Sequence, residues 1–199
     1  SGIGNISSFF MEDQFQIMLT DIRTGYCEKL NDTFQNNPFF LGTEVMDLTD
    51  SDFDNKFSSH LGQYDTVFAL NVVEHISDDT LALKNCQKLL SKGGQLIILV
   101  PSYQKLYNGF DKELGHYRRY TKPLLTQVFL QNKFRIVHKQ YFNFIGILGW
   151  YFTGSILKKE TIPGGQMKLY NSLVPIFKII DKLILNTAGL STIVVGRKE

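Results

Sequence analysis

What most limits the fold of this chain is a repeated switch between short apolar runs and segments of helical spacing. "FQIMLTD" reads as a buried strand ending in Asp21, and "FFLGTEVMD" reads as a second strand ending in Asp47. Between them "TGYCEKLNDTFQ" is helical and "NNP" breaks it. "YDTVFAL" predicts the next strand, leading into Asn71–Ile76, and "SDDTLALKNCQKLLSKGG" predicts a helix capped by Ser77 and stopped at Gly93 and Gly94. The strand "QLIILVP" follows. Short strands alternating with helices point to an α/β fold, a mostly parallel sheet with helices on both faces. Ligands of such sheets bind beyond the carboxyl ends of the strands.

Past Pro101 the pattern changes. "SYQKLYNGFDKELGHYRRYTKP" is polar, aromatic and basic, "LLTQVFLQN" predicts a helix, and "KFRIVHKQYFNF" and "STIVVGRK" predict the last two strands. Between these strands lies a helical insertion over residues 145–190, two apolar stretches around "TIPGG". With 199 residues the chain reads as one domain holding this insertion as a lid. A net charge of +2 gives no reason to expect a nucleic-acid partner. Cys27 and Cys86 form neither a disulfide framework nor a metal-spaced cluster, so a cytoplasmic setting is expected and no metal. The apolar run "FIGILGWYF" is short of the roughly 20 residues a membrane-spanning helix needs.

The opening "SGIGN" carries two glycines, Gly2 and Gly4, where a backbone could turn tightly against a ligand. By themselves they carry little information, and a flexible terminus would look the same. Asp21 stands 17 residues after Gly4 at a strand end, near the offset at which an acid accepts hydrogen bonds from a ribose diol. Asp47 ends the following strand, where it can receive an adenine amino group. Each acid also has a bland reading as a cap or loop residue, and only the combination favours a site.

With these residues in place, the chain resembles the class I S-adenosylmethionine-dependent methyltransferases. The resemblance rests on "SGIGN", the acids of "LTD" and "MDL", "YDTVFALNVVEHISDD" and "LLSKGGQLIILVPS", and it covers about the first two-thirds of the sequence. "LYNGFDKELGHYRRYTKPLL", "YFNFIGILGW" and "IPGGQMKLYNSLVP" resemble a type 11/12 subgroup often encoded near glycosyltransferases of surface-polysaccharide pathways. The resemblance implies a seven-stranded Rossmann-like sheet with one antiparallel strand at its edge and S-adenosylmethionine across the strand ends. Gly2, Gly4 and Asn5 would face the methionine and ribose, Asp21 and Ile22 the ribose and adenine, and Asp47 and Leu48 the adenine. Asn71, Val72 and His75 would lie below the methionine, a structural hydrogen-bonding role standing beside this for His75. The family's glycine loop follows an apolar strand ending in an acid; neither precedes Ser1, which leads to the expectation of a longer natural polypeptide. Without that strand the middle of the sheet would be open.

Methyl transfer from a sulfonium is an in-line displacement, so alignment of the acceptor and removal of its proton are the main tasks. For a hydroxyl or carboxylate acceptor, His116 in "GHYRRY" is the base or positioning group, with Tyr117 beside it. Arg118 and Arg119 are the candidates for holding an acceptor anion, their planar forks allowing bidentate contact. The alternative for this stretch is a charged loop with one arginine paired to Asp111 or Glu113. In "MKLYNSLVPIFKIIDKLIL" the polar positions Lys168, Asn171, Lys178, Asp181 and Lys182 recur against a broad apolar face. Such a helix packs as a lid, covers an apolar substrate, forms a homodimer contact, or lies on the inner face of a membrane through residues 144–185. The leading expectation is methyl transfer to a small-molecule, saccharide or lipid-linked acceptor. A noncatalytic module of the same fold, or a nicotinamide-dependent oxidoreductase, stands as the alternative.

Overall fold

Strand β4 (Leu90–Pro101) is the best-buried strand, and its residues Leu96, Ile98 and Val100 are fully shielded on one face. The computed structural model describes residues 2–157 and 164–199, and for residues 164–170 the backbone only. The chain divides into two compact units, residues 1–53 and 54–199.

In the first unit α1 (Asn5–Glu12) leads to β1 (Ile17–Asp21), α2 (Thr24–Phe34) and β2 (Phe40–Val45), and the two strands pair in parallel. Gly4 precedes α1 with φ +82°, and a Cβ there would meet the Phe34 and Leu30 side chains of α2 at 2.5 and 2.8 Å. Both its dihedral and its neighbours therefore demand glycine.

The short α3 (Phe53–Lys56) begins at the last residue of the first unit, and the second unit continues with β3 (Tyr64–Leu70), α4 (Asp79–Leu89) and β4. After it come α5 (Gly109–Glu113), α6 (Lys122–Gln131), β5 (Phe134–Phe142), α7 (Phe144–Trp150), α8 (Gly164–Leu183) and β6 (Ser191–Lys198). The sheet order is β3-β4-β6-β5, with β3 parallel to β4 and β6 antiparallel to both neighbours. β6 covers the sequence-predicted "STIVVGRK" residue for residue. The antiparallel strand, expected at the edge, sits one place in, because β5 pairs along its outer side. Among the described residues six strands make two sheets, and no strand joins them.

Helix α6 begins where Thr121 accepts the Leu124 N–H, with a proline in its first turn, and it buries Leu125, Val128 and Phe129. Gly196 of β6 lets Phe129 lie against the sheet, since a Cβ there would be 2.5 Å from its ring. α4 is capped by Asp78, which accepts the Leu81 N–H, and not by the expected Ser77. The Ser77 carbonyl instead accepts from Arg118. Nor do Gly93 and Gly94 stop the helix, which ends at Leu89 as Leu90 turns extended; Gly93 lies within the register shift between Leu90 and Gln95.

The described parts of the insertion are mainly helical, as expected. α7 runs into a π-helical turn over Tyr151–Ile156, and the first residues of "TIPGG", 161–163, lie outside the described residues. α8 does not turn its whole polar set outward. Asp181 is buried, accepting the backbone N–H of Asn143 at 2.6 Å and of Phe144 at 2.8 Å at the start of α7, while Ile176, Ile179 and Leu183 are exposed. Lys168 belongs to the residues whose side chains are not described. No helix among the described residues is long and apolar enough to cross a membrane.

Candidate active site

In the first unit the glycine loop and the strand-end acid meet. Gly2 N–H donates to Asp21 Oδ2 at 3.1 Å, and Arg23 N–H donates to Oδ1 at 3.1 Å. Burial raises the pKa of this carboxyl, but the opposing interactions, led by the backbone donors of Arg23 and Gly2, bring it below the usual carboxylate range. Ile22 beside it is largely exposed, an apolar surface for a flat ring. Asp47 folds back on its own loop, its Oδ1 accepting from Thr49 N–H and Oγ1–H, each at 2.7 Å. Leu48 is half-buried. A deprotonated acid at the end of β1, glycines at positive φ and an exposed apolar neighbour suit the ribose and adenine of a nucleoside.

The second unit holds a buried charge cluster. Asn108 and Asp111 form a capping box on α5, so the Asp111 Oδ2 accepts the Asn108 N–H at 2.9 Å. Its Oδ1 accepts from His116 Nδ1 and from Arg119 Nε, both at 2.7 Å. Burial alone would raise the Asp111 pKa, and these two side-chain donors bring it below the normal value. An ionised carboxylate only accepts, so His116 carries its proton on Nδ1 and keeps a lone pair on Nε2 when neutral. The His116 backbone is fixed too: its N–H donates to Asp111 O, and its carbonyl accepts from Tyr107 Oη.

Glu74 completes the cluster on the turn Val73–His75. Its side chain is 1% exposed and its Oε2 has no hydrogen-bond partner. Burial pushes its pKa up to about 7, against the pull of His116 and Arg119. A cavity of about 310 Å³ is lined by Asn71, Glu74, His75 and His116 on its polar side, with Trp150 and Leu190 among its apolar walls. Arg119, fully buried, lies 4.4 Å from the Trp150 ring, and the Trp150 indole N–H donates to Leu106 O at 3.1 Å. The start of the insertion thus packs over this cluster.

The family model of a methyltransferase domain matches residues 1–96. Over that stretch the chain is similar to the class I methyltransferases. A highly reducing polyketide synthase of Aspergillus carbonarius is 30% identical over 117 residues, covering 54% of this chain and 4% of the relative. The chain spans 2–4% of the length of the curated relatives it matches. Among solved structures, the Haemonchus contortus phosphoethanolamine N-methyltransferase 2, in complex with S-adenosyl-L-methionine, has a TM-score of 0.64 at 16% identity. That match covers 99% of this chain and 46% of the other. The CurJ carbon methyltransferase has a TM-score of 0.60 at 15% identity, over 98% of this chain and 46% of the other. The cofactor of the family is S-adenosylmethionine.

The structure sorts the sequence-derived residues. Gly2 and Asp21 are joined, Asn5 opens α1, and Gly4, Ile22, Asp47 and Leu48 lie in the same unit. Asn71 and His75 line the cavity of the second unit, and Val72 precedes the turn that bears Glu74. His116 and Arg119 are brought to the cavity as well.

Two expectations are corrected. Tyr117 is 60% exposed and is not among the residues that line the cavity. Neither arginine offers an open fork: Arg118 donates to Asp79 Oδ2 at 2.9 Å, and Arg119 is held by Asp111 and Ser102 O. Sequence reasoning passed over Glu74 and took Asp111 only as an arginine's partner. A signal for Asp111 was present in the N-x-x-D capping spacing just before "GHYRRY".

Proposed function

We propose that this domain transfers a methyl group from S-adenosylmethionine to an acceptor hydroxyl on a small molecule or saccharide, free or lipid-linked. The observation that carries this reading is the Asp111–His116 pair, which leaves a nitrogen lone pair at the cavity. The cofactor supplies a methyl group on a positively charged sulfur, ready to leave with the C–S electron pair remaining on sulfur. Asp21 binds the ribose diol, and Ile22 and Leu48 pack on the adenine, which Asp47 receives at its edge. In the second unit His116 takes the acceptor proton through Nε2, while Asp111 fixes the ring and stabilises the imidazolium that forms. Arg119 holds Asp111 ionised. Trp150, Leu114 and Leu190 exclude water from the acceptor. The exposed apolar residues Leu148, Phe152 and Ile156 beside this wall suit a lipid-linked acceptor.

The likeness to a carbon methyltransferase favours one second reading, an acidic carbon as acceptor, whose proton His116 removes in the same way. Calorimetric titration with S-adenosylhomocysteine, followed by radiolabelled methyl transfer to hydroxylated glycolipids and to β-keto thioesters, tests both. His116→Ala is expected to retain S-adenosylhomocysteine binding and lose turnover by about 10²–10⁴-fold. Unchanged turnover in that variant overturns the assignment.

A further inference from the structure

Glu74 is the group that base catalysis by His116 leaves unexplained. A buried carboxylate oxygen with no donor is costly, and native proteins seldom keep one without a partner. His75, the next residue, presents an exposed ring that meets the His116 ring edge-on at a centroid distance of 4.7 Å. The ligand-capable atoms of Glu74, His75 and His116 all lie within 4.8 Å of one another, beside the cavity. The Nδ1 of His116 is occupied by Asp111, the carboxylate–histidine arrangement that orients an imidazole to give its other nitrogen to a metal.

We propose that Glu74, His75 and His116 form a binding site for a divalent transition-metal ion, with the acceptor oxygen completing its coordination. Two imidazoles and one carboxylate suit zinc, manganese or iron(II) better than calcium or magnesium, which prefer all-oxygen sets. Three protein ligands leave coordination positions open, as catalytic sites do. Bonds of about 2.1 Å in tetrahedral geometry set ligand atoms about 3.4 Å apart, so the three groups draw in by at most about 1.4 Å. The exposed His75 ring is placed to make most of that movement.

This inference rests on the acceptor-site reading and alters one step of it. With an ion bound, His116 gives its lone pair to the metal, and the acceptor hydroxyl, made more acidic by coordination, releases its proton to solvent. The oxygen then forms its bond to the methyl carbon as the C–S bond breaks, leaving a methyl ether and a neutral thioether. The ion supplies the missing partner of Glu74 Oε2, and the acceptor class narrows to oxygen groups able to bind a metal.

The test uses the whole chain, stripped with a chelator and titrated with zinc, manganese and cobalt(II), the last read by its visible absorption. One ion per chain is expected, with imidazole coordination in the cobalt spectrum. Glu74→Gln, which keeps the side-chain shape, and His75→Ala, at an exposed ring, are each expected to weaken binding about 10-fold or more, as is Asp111→Asn. Circular dichroism verifies that each variant is folded. No saturable binding at high micromolar metal, or binding that these folded variants leave unchanged, overturns the proposal. Methyl transfer that persists in chelator with no metal bound sinks the metal site and leaves the acceptor-site reading standing. Metal binding without any methyl transfer does the reverse.

Discussion

Two acids in two parts of this molecule do comparable electrostatic work by different means. Asp21 is served by backbone donors from its own strand end and from the glycine loop, in a setting open to solvent on the Arg23 side. Asp111 is fully buried and served by two side chains, His116 and Arg119, besides its helix-capping bond. A backbone-served acid depends on spacing in the sequence. A side-chain-served acid depends on the folded core, and it should be the one whose loss damages folding.

Asp111→Ala is therefore expected to have the largest effect, about 3–5 kcal/mol of stability, because Arg119 is left buried without its counter-charge. Denaturant unfolding reads this directly, and a loss under about 1 kcal/mol would break the contrast. Glu74→Gln is next and has the opposite sign. A carboxyl whose folded pKa is raised contributes stability fully below its unfolded value near 4.5 and loses it as pH rises through about 7. In chelator, the variant should thus exceed the parent above pH 7 by up to about 3 kcal/mol and show no such advantage near pH 4. Unfolding midpoints compared at the two pH values settle it.

Asp21→Ala should barely change stability and should raise the dissociation constant for S-adenosylhomocysteine about 10–100-fold, the worth of hydrogen bonds to a charged group. Calorimetry that finds equal affinity removes Asp21 from the cofactor site. Tyr117→Phe is expected to be the smallest change, under about 0.5 kcal/mol in stability and about twofold in turnover, since the ring is exposed away from the cavity.

The same contrast explains what the sequence revealed. The strands of both units, the glycine loop and the strand-end acids follow period and offset, which are properties of neighbouring residues, and β6 is legible to the residue. His116 could be singled out as an imidazole in a polar loop past a strand end, whereas its place at the cavity comes from the fold. The burial of Glu74 was not legible, because it comes from the fold around the turn Val73–His75 and no spacing in "NVVEHI" marks it. The arginines misled for a related reason: their partners Asp79 and Asp111 are supplied by helix starts, and a count of charges in a loop does not show which are already spent. In α8, helical periodicity could not tell that Asp181 faces inward to hold the start of α7.

That last contact makes the insertion a cassette. Chain entry at Asn143 and exit at Asp181 are clamped to each other, and Gly189 closes so tightly on Phe142 that a Cβ there would sit 2.1 Å from its carbonyl oxygen. Closing a loop costs only about 0.6 kcal/mol more for each doubling of its length. The segment between the clamp points can therefore be lengthened or shortened with little cost to the sheet, provided that the contacts of Trp150 with Arg119 and Leu106 are kept.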